Sequence, residues 1–69
     1  MTKVQLTVKL WRGLNDQDLD NISRVHGVYG FFAVRPRPTG DELFVEYDAS
    51  RLAPQDVRRN LAEHGLPII

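Results

Sequence analysis

Val4-Gln5-Leu6-Thr7-Val8-Lys9-Leu10 decides the fold, because its apolar residues Val4, Leu6, Val8 and Leu10 alternate strictly with polar ones. A period of two is the signature of a strand with one buried face. Such a strand needs a covering layer, and the next residues supply it. Gly13 breaks the extended run, Asn15 can cap a helix, and Asp16, Asp18 and Asp20 place negative charge near that helix's positive end. Leu19, Ile22 and Val25 recur at helical spacing as the expected core stripe, with Arg24 and His26 suited to the carboxyl end and Gly27 closing it.

Working onward, Val28 to Arg35 is rich in aromatic and branched residues and reads as a second strand. Pro36, Pro38 and Thr39-Gly40 make a stiff hairpin tip before alternation resumes from Glu42 to Asp48. There Leu43, Val45 and Tyr47 face one side, and Glu42, Phe44, Glu46 and Asp48 the other. Pro54 is a good first helical residue, Val57 and Leu61 form the core stripe of a second helix, and Gly65 ends it before a short last strand, Leu66 to Ile69. The order βαββαβ predicts one α+β domain over 1–69, a ferredoxin-like sandwich with a four-stranded antiparallel sheet in the order 4-1-3-2 and two helices on one face. In that topology Gly13 to Asp16, Arg35 to Asp41 and His64 to Leu66 gather at one end, and His26 lies at the other.

With 69 residues there is room for a single core, since domains this short bury only about 60% of their unfolded surface. Nine Lys and Arg balance nine Asp and Glu, so no net field draws nucleic acid or an anionic membrane. Having no cysteine, the chain has no disulfide, thiolate metal site or thiol nucleophile, and packing alone must hold it. No apolar run approaches the roughly 20 residues that span a bilayer, so a cytoplasmic protein or an excised cytoplasmic domain is expected, without membrane insertion.

From Gly27-Val28 through the Thr39-Gly40 turn, Val45-Glu46-Tyr47-Asp48, Pro54-Gln55-Asp56-Val57 and Glu63-His64-Gly65, the chain resembles the heavy-metal-associated domain of copper chaperones and metal-pumping ATPases. With about a one-residue deletion, the first strand and helix fit the same frame, so the resemblance covers nearly the whole chain and admits a fragment of a membrane transporter as its origin. It implies a metal loop between the first strand and helix, where the family carries Gly-Met-x-Cys-x-x-Cys. Here that stretch reads Lys9-Leu10-Trp11-Arg12-Gly13-Leu14-Asn15-Asp16, with Arg12 and Asn15 at the thiol positions. Arginine puts a permanent positive charge where a cation would sit, so no ligand carries over.

Several candidates remain on residue chemistry. His64, with Asp16 and Asp41 near the vacated loop, could contribute to a zinc, nickel or cupric site, but a site needs three or four converging ligands. Against it, His64 suits the end of a helix. The aspartates at 16, 18 and 20 spread around a helix and are explained by its dipole. Arg12 with Asn15 invites comparison with acylphosphatases, yet a phosphate cradle wants a glycine-rich loop and only Gly13 is present. No catalytic residue and no cofactor is expected. On the helix-free sheet face, Phe44 points outward; with Phe31 and Ala33 inward, Phe32 and Val34 also point outward, and Trp11 joins them. The opposite phase buries Phe32 and Val34 and exposes Phe31. The first phase predicts a partner surface of Trp11, Phe32, Val34 and Phe44 for a protein partner or a second copy. The expected function is a non-enzymatic interaction module; metal binding through His64 and carboxylates is the alternative.

Overall fold

In a computed structural model describing residues 2–69, the alternating stretch is strand β1 (Lys3–Lys9). Helix α1 (Asp16–Val25), strands β2 (Phe31–Pro36) and β3 (Glu42–Asp48), and helix α2 (Pro54–Glu63) follow. The strands form a three-stranded antiparallel sheet in the order β1-β3-β2. Central β3 sets its apolar residues against those of both neighbours: Val45 pairs with Leu6 on one side and Val34 on the other, and Leu43 pairs with Val8. Ile22 and Val25 of α1 and Val57 and Leu61 of α2 join these residues in one core, which puts both helices on the same face.

The expected fourth strand is reduced to one antiparallel bridge between Leu10 and Ile68. Trp11 N–H donates to the Pro67 carbonyl at 3.0 Å and Ile69 N–H to the Lys9 carbonyl at 2.9 Å. Pro67 has no N–H of its own to extend the ladder. Both helices start as their residues dictate. The Asn15 side chain accepts the Asp18 N–H at 2.9 Å, and the Asp18 carboxylate accepts the Asn15 N–H at 3.0 Å, a reciprocal capping box. At α2, Pro54 occupies the first turn and Asp56 accepts the Ala53 N–H at 2.9 Å.

Two further expectations change. Leu19 is exposed, and Asp18 takes the buried position on α1 beside Ile22 and Val25. In β2 the phase switches midway: Phe31 pairs with Tyr47, Ala33 with Glu46, and Phe32 is the extra residue of a bulge. As a result Phe31 and Val34 both point into the core, and neither single phase describes the strand. The turn before β2 depends on Gly30, which adopts φ +100° and whose carbonyl accepts the Asp48 N–H at 2.8 Å. A Cβ there would lie 2.9 Å from Leu52 Cδ1. No helix among the described residues is long and apolar enough to cross a membrane.

Candidate functional site

The loop between β1 and α1 is occupied by an internal ion pair. Arg12 forks onto Asp18, with Nη1 to Oδ2 at 2.6 Å and Nη2 to Oδ1 at 3.2 Å, and Nη1 also donates to the Gly13 carbonyl at 2.9 Å. Asp18 is buried and Arg12 half-buried. Arg12 and Asn15, at the two thiol positions of the metal-loop frame, are therefore both engaged with Asp18, one as counter-ion and one as cap. The donors do not fit a soft metal ion: there is no sulfur, and the guanidinium carries fixed positive charge. Among the described residues no group of three or more His, Cys, Asp or Glu could hold a metal. His64 Nδ1 lies 2.7 Å from the Asn60 carbonyl and donates to it at the end of α2, and Asp16 is exposed in the first turn of α1.

The helix-free face does not gather the four expected contact residues. Val34 is 1% exposed in the core, because the bulge at Phe32 turns it inward. Trp11, 65% exposed, lies beyond the end of β1 with the Arg12 guanidinium 5.2 Å from its ring. Phe44 is half-buried between Thr7 and Arg35, and Phe32 sits at the other end of the sheet beside Lys3. The rest of that face is polar: Lys9 opposes Glu42, and the Gln5 amide reaches Glu46 at 3.5 Å.

At the Phe32 end, Tyr29, Gly30, Phe32, Asp48, Ser50 and Arg51 line a cleft of about 150 Å³. Tyr29 is 71% exposed and Phe32 39%. Each ring carries a cation: the Arg51 guanidinium lies 4.4 Å from Tyr29, and the Lys3 ammonium 5.5 Å from Phe32. The floor is Asp48, whose Oδ1 accepts the Ser50 hydroxyl at 2.6 Å, the Ser50 N–H at 3.0 Å and the Thr2 N–H at 3.2 Å. Its other oxygen is 3.5 Å from Arg51 Nε. With those lone pairs taken, Asp48 is a structural anion; Arg51, stacked on Tyr29, lines the cleft, and Lys3 stands over Phe32 beside it.

Both buried carboxyls are held below the ordinary aspartate range. For Asp18 the cause is first the hydrogen bond from Arg12, then the Asn15 N–H and the Arg12 charge, against the opposing effect of burial. For Asp48 it is first the Ser50 hydroxyl, then the Ser50 and Thr2 amides, again against burial. A carboxyl depressed in the folded state contributes stability above its unfolded pKa of about 3.9 and loses it as pH falls through the folded value. Melting temperature is therefore expected to drop as pH falls below about 4, with Asp18→Asn and Asp48→Asn each flattening that acid limb. Acid limbs that superimpose on the wild type would show that neither carboxylate is the linked group.

Sequence reasoning could have found part of this. Asn15 and Asp18 stand at capping-box spacing, and Asp48-Ala49-Ser50 has the form of an Asx turn. Nothing local announces that His26 accepts the Val34 N–H at 2.8 Å on Nε2, or that Tyr29 and Arg51 meet. Comparison of the chain with protein-family models, with curated proteins and with solved structures finds no match.

Proposed function

We propose that this chain is a non-catalytic interaction module, a heavy-metal-associated-like scaffold without a thiolate site, that grips a short segment of a protein partner at the Tyr29–Phe32 cleft. The scaffold reading is supported by the sheet order β1-β3-β2, and by the Leu10–Ile68 bridge, which lies where a fourth strand of that frame would run. The observation that carries the binding reading is the pair of exposed aromatic rings, each under a cation, around an otherwise satisfied floor. Aromatic and arginine side chains are the usual anchors of protein contacts. The partner segment that fits presents an apolar side chain to the rings and a carboxylate to Lys3 and Arg51.

Selection from a random heptapeptide library should enrich acidic residues beside an apolar one, and the selected peptides should shift the amide resonances of Tyr29, Phe32 and Arg51. Tyr29→Ala should weaken those peptides at least about tenfold, the scale of an aromatic anchor, and leave the fold unchanged because the ring is exposed. Selected peptides whose shifts map elsewhere, or whose affinity survives Tyr29→Ala, would remove the cleft as the binding surface.

A further inference from the structure

The two edges of the sheet are treated differently. On β2 the outer edge is blunted: Val34 N–H is taken by His26, Phe32 forms a bulge, and Pro36 lacks an N–H. Such devices prevent edge-to-edge pairing. β1 has none of them. It contains no proline and no bulge, and it keeps one register with β3 from Lys3 to Lys9.

Hydrogen-bond parity identifies which β1 groups face outward. Leu10 N–H donates to the Asp41 carbonyl at 2.7 Å and Ala49 N–H to the Thr2 carbonyl at 2.7 Å, so the even-numbered residues exchange bonds with β3. In an antiparallel pair the alternate residues then point their N–H and C=O away. Those residues are Lys3, Gln5, Thr7 and Lys9. The Lys9 carbonyl is taken by the Ile69 N–H, and Lys3, Gln5 and Thr7 have no further backbone partner among the described residues. On the core side of the same edge Val4 and Leu6 are only half-buried, whereas Val8 and Leu10, nearer the Ile68 bridge, are buried.

We propose that two copies of this chain pair antiparallel through the outer edge of β1, about a two-fold axis at Gln5. That register makes Lys3 face Thr7 of the second copy and Gln5 face Gln5, and it stops short of the occupied Lys9 carbonyl. Every free backbone group of the three residues finds a partner, and no like charges are opposed. Val4 of one copy then lies opposite Leu6 of the other, which covers the half-buried pair and joins two three-stranded sheets into one of six strands. The sequence Lys3 to Thr7 is thus complementary to itself in this register, and this selects a second copy over an unrelated strand. The inference uses the sheet edge and does not depend on the cleft.

Sedimentation of the full chain from micromolar to millimolar concentration should show a monomer–dimer equilibrium. Over the same range, amide exchange at Gln5 and Thr7 should slow as dimer forms, while Leu6 and Val8, bonded to β3, stay slow throughout. Gln5→Pro removes the central donor of each copy without touching a β3 bond, and should weaken the dimer at least about tenfold with a native spectrum. A chain that stays monomeric with fast Gln5 and Thr7 amides at every concentration overturns the proposal. A dimer in which those two amides remain fast overturns it as well. If Gln5→Pro disturbs the fold, wild-type exchange alone decides between these outcomes.

Discussion

A Val34→Lys variant is expected to lose the native fold at room temperature, while Phe44→Lys keeps it. Val34 sits in the core opposite Val45, with its N–H held by His26, so a lysine there places an ammonium among the apolar side chains of the core. Burying an unpaired charge costs several kcal/mol even after relaxation. A domain of this length has only about 3–10 kcal/mol of net stability, so one such substitution consumes most of it. Phe44 projects from the other face of β3, half-buried between Thr7 and Arg35, where a lysine stem can lie along the sheet and keep its charge in water. Amide dispersion in a proton–nitrogen spectrum separates the two outcomes. A well-dispersed Val34→Lys spectrum would place residue 34 on the outer face and remove the bulge from the account.

Asp18→Ala is expected to lower stability by about 2–3 kcal/mol, from the lost acceptor of the Asn15 N–H and the lost charge-assisted hydrogen bonds from Arg12. In a domain this small that corresponds to a fall in melting temperature of about 10–20 °C. Asp18 accepts from both Arg12 nitrogens and from the Asn15 N–H, so its removal deletes one arm of the capping box, leaves the Asn15 side chain still capping the residue-18 N–H, and leaves the guanidinium without its carboxylate. Arg12→Ala should cost less, because Asn15 still satisfies part of the carboxylate and water reaches the rest. In the double variant the Arg12 effect should shrink, the sign of direct coupling. A melting temperature within a degree or two of wild type for Asp18→Ala would mean that the fork contributes nothing to folding.

The contrast between Val34 and Asp18 shows how far residue patterns reach. Regular periods carried β1, β3 and α2, because alternation or helical spacing persists across each and few other packings bury those faces. The same logic misplaced Leu19, next to the capping aspartate, and Val34, two residues past the bulged Phe32. On α1 the rule that apolar residues turn inward lost to a capping box, whose carboxylate had to be near the helix start and gained Arg12 as counter-ion. In β2 a single bulged residue reversed the phase of the residues after it.

By itself, the sequence determined that this is an α+β chain with a one-sided sheet under two helices, and that the β1–α1 loop has no sulfur to offer a metal. Both follow from local composition and spacing, which persist in any packing of the chain. Only the tertiary structure decided that Arg12 and Asp18 close that loop, that Tyr29 and Phe32 frame a cleft over Asp48, and that β1 keeps an open edge while His26 covers part of β2. The cleft and the open edge depend on residues far apart in the chain meeting at one register, where a single bulge is enough to change which of them meet, and the Arg12–Asp18 fork, only six residues long, depends on the loop folding back onto the start of α1.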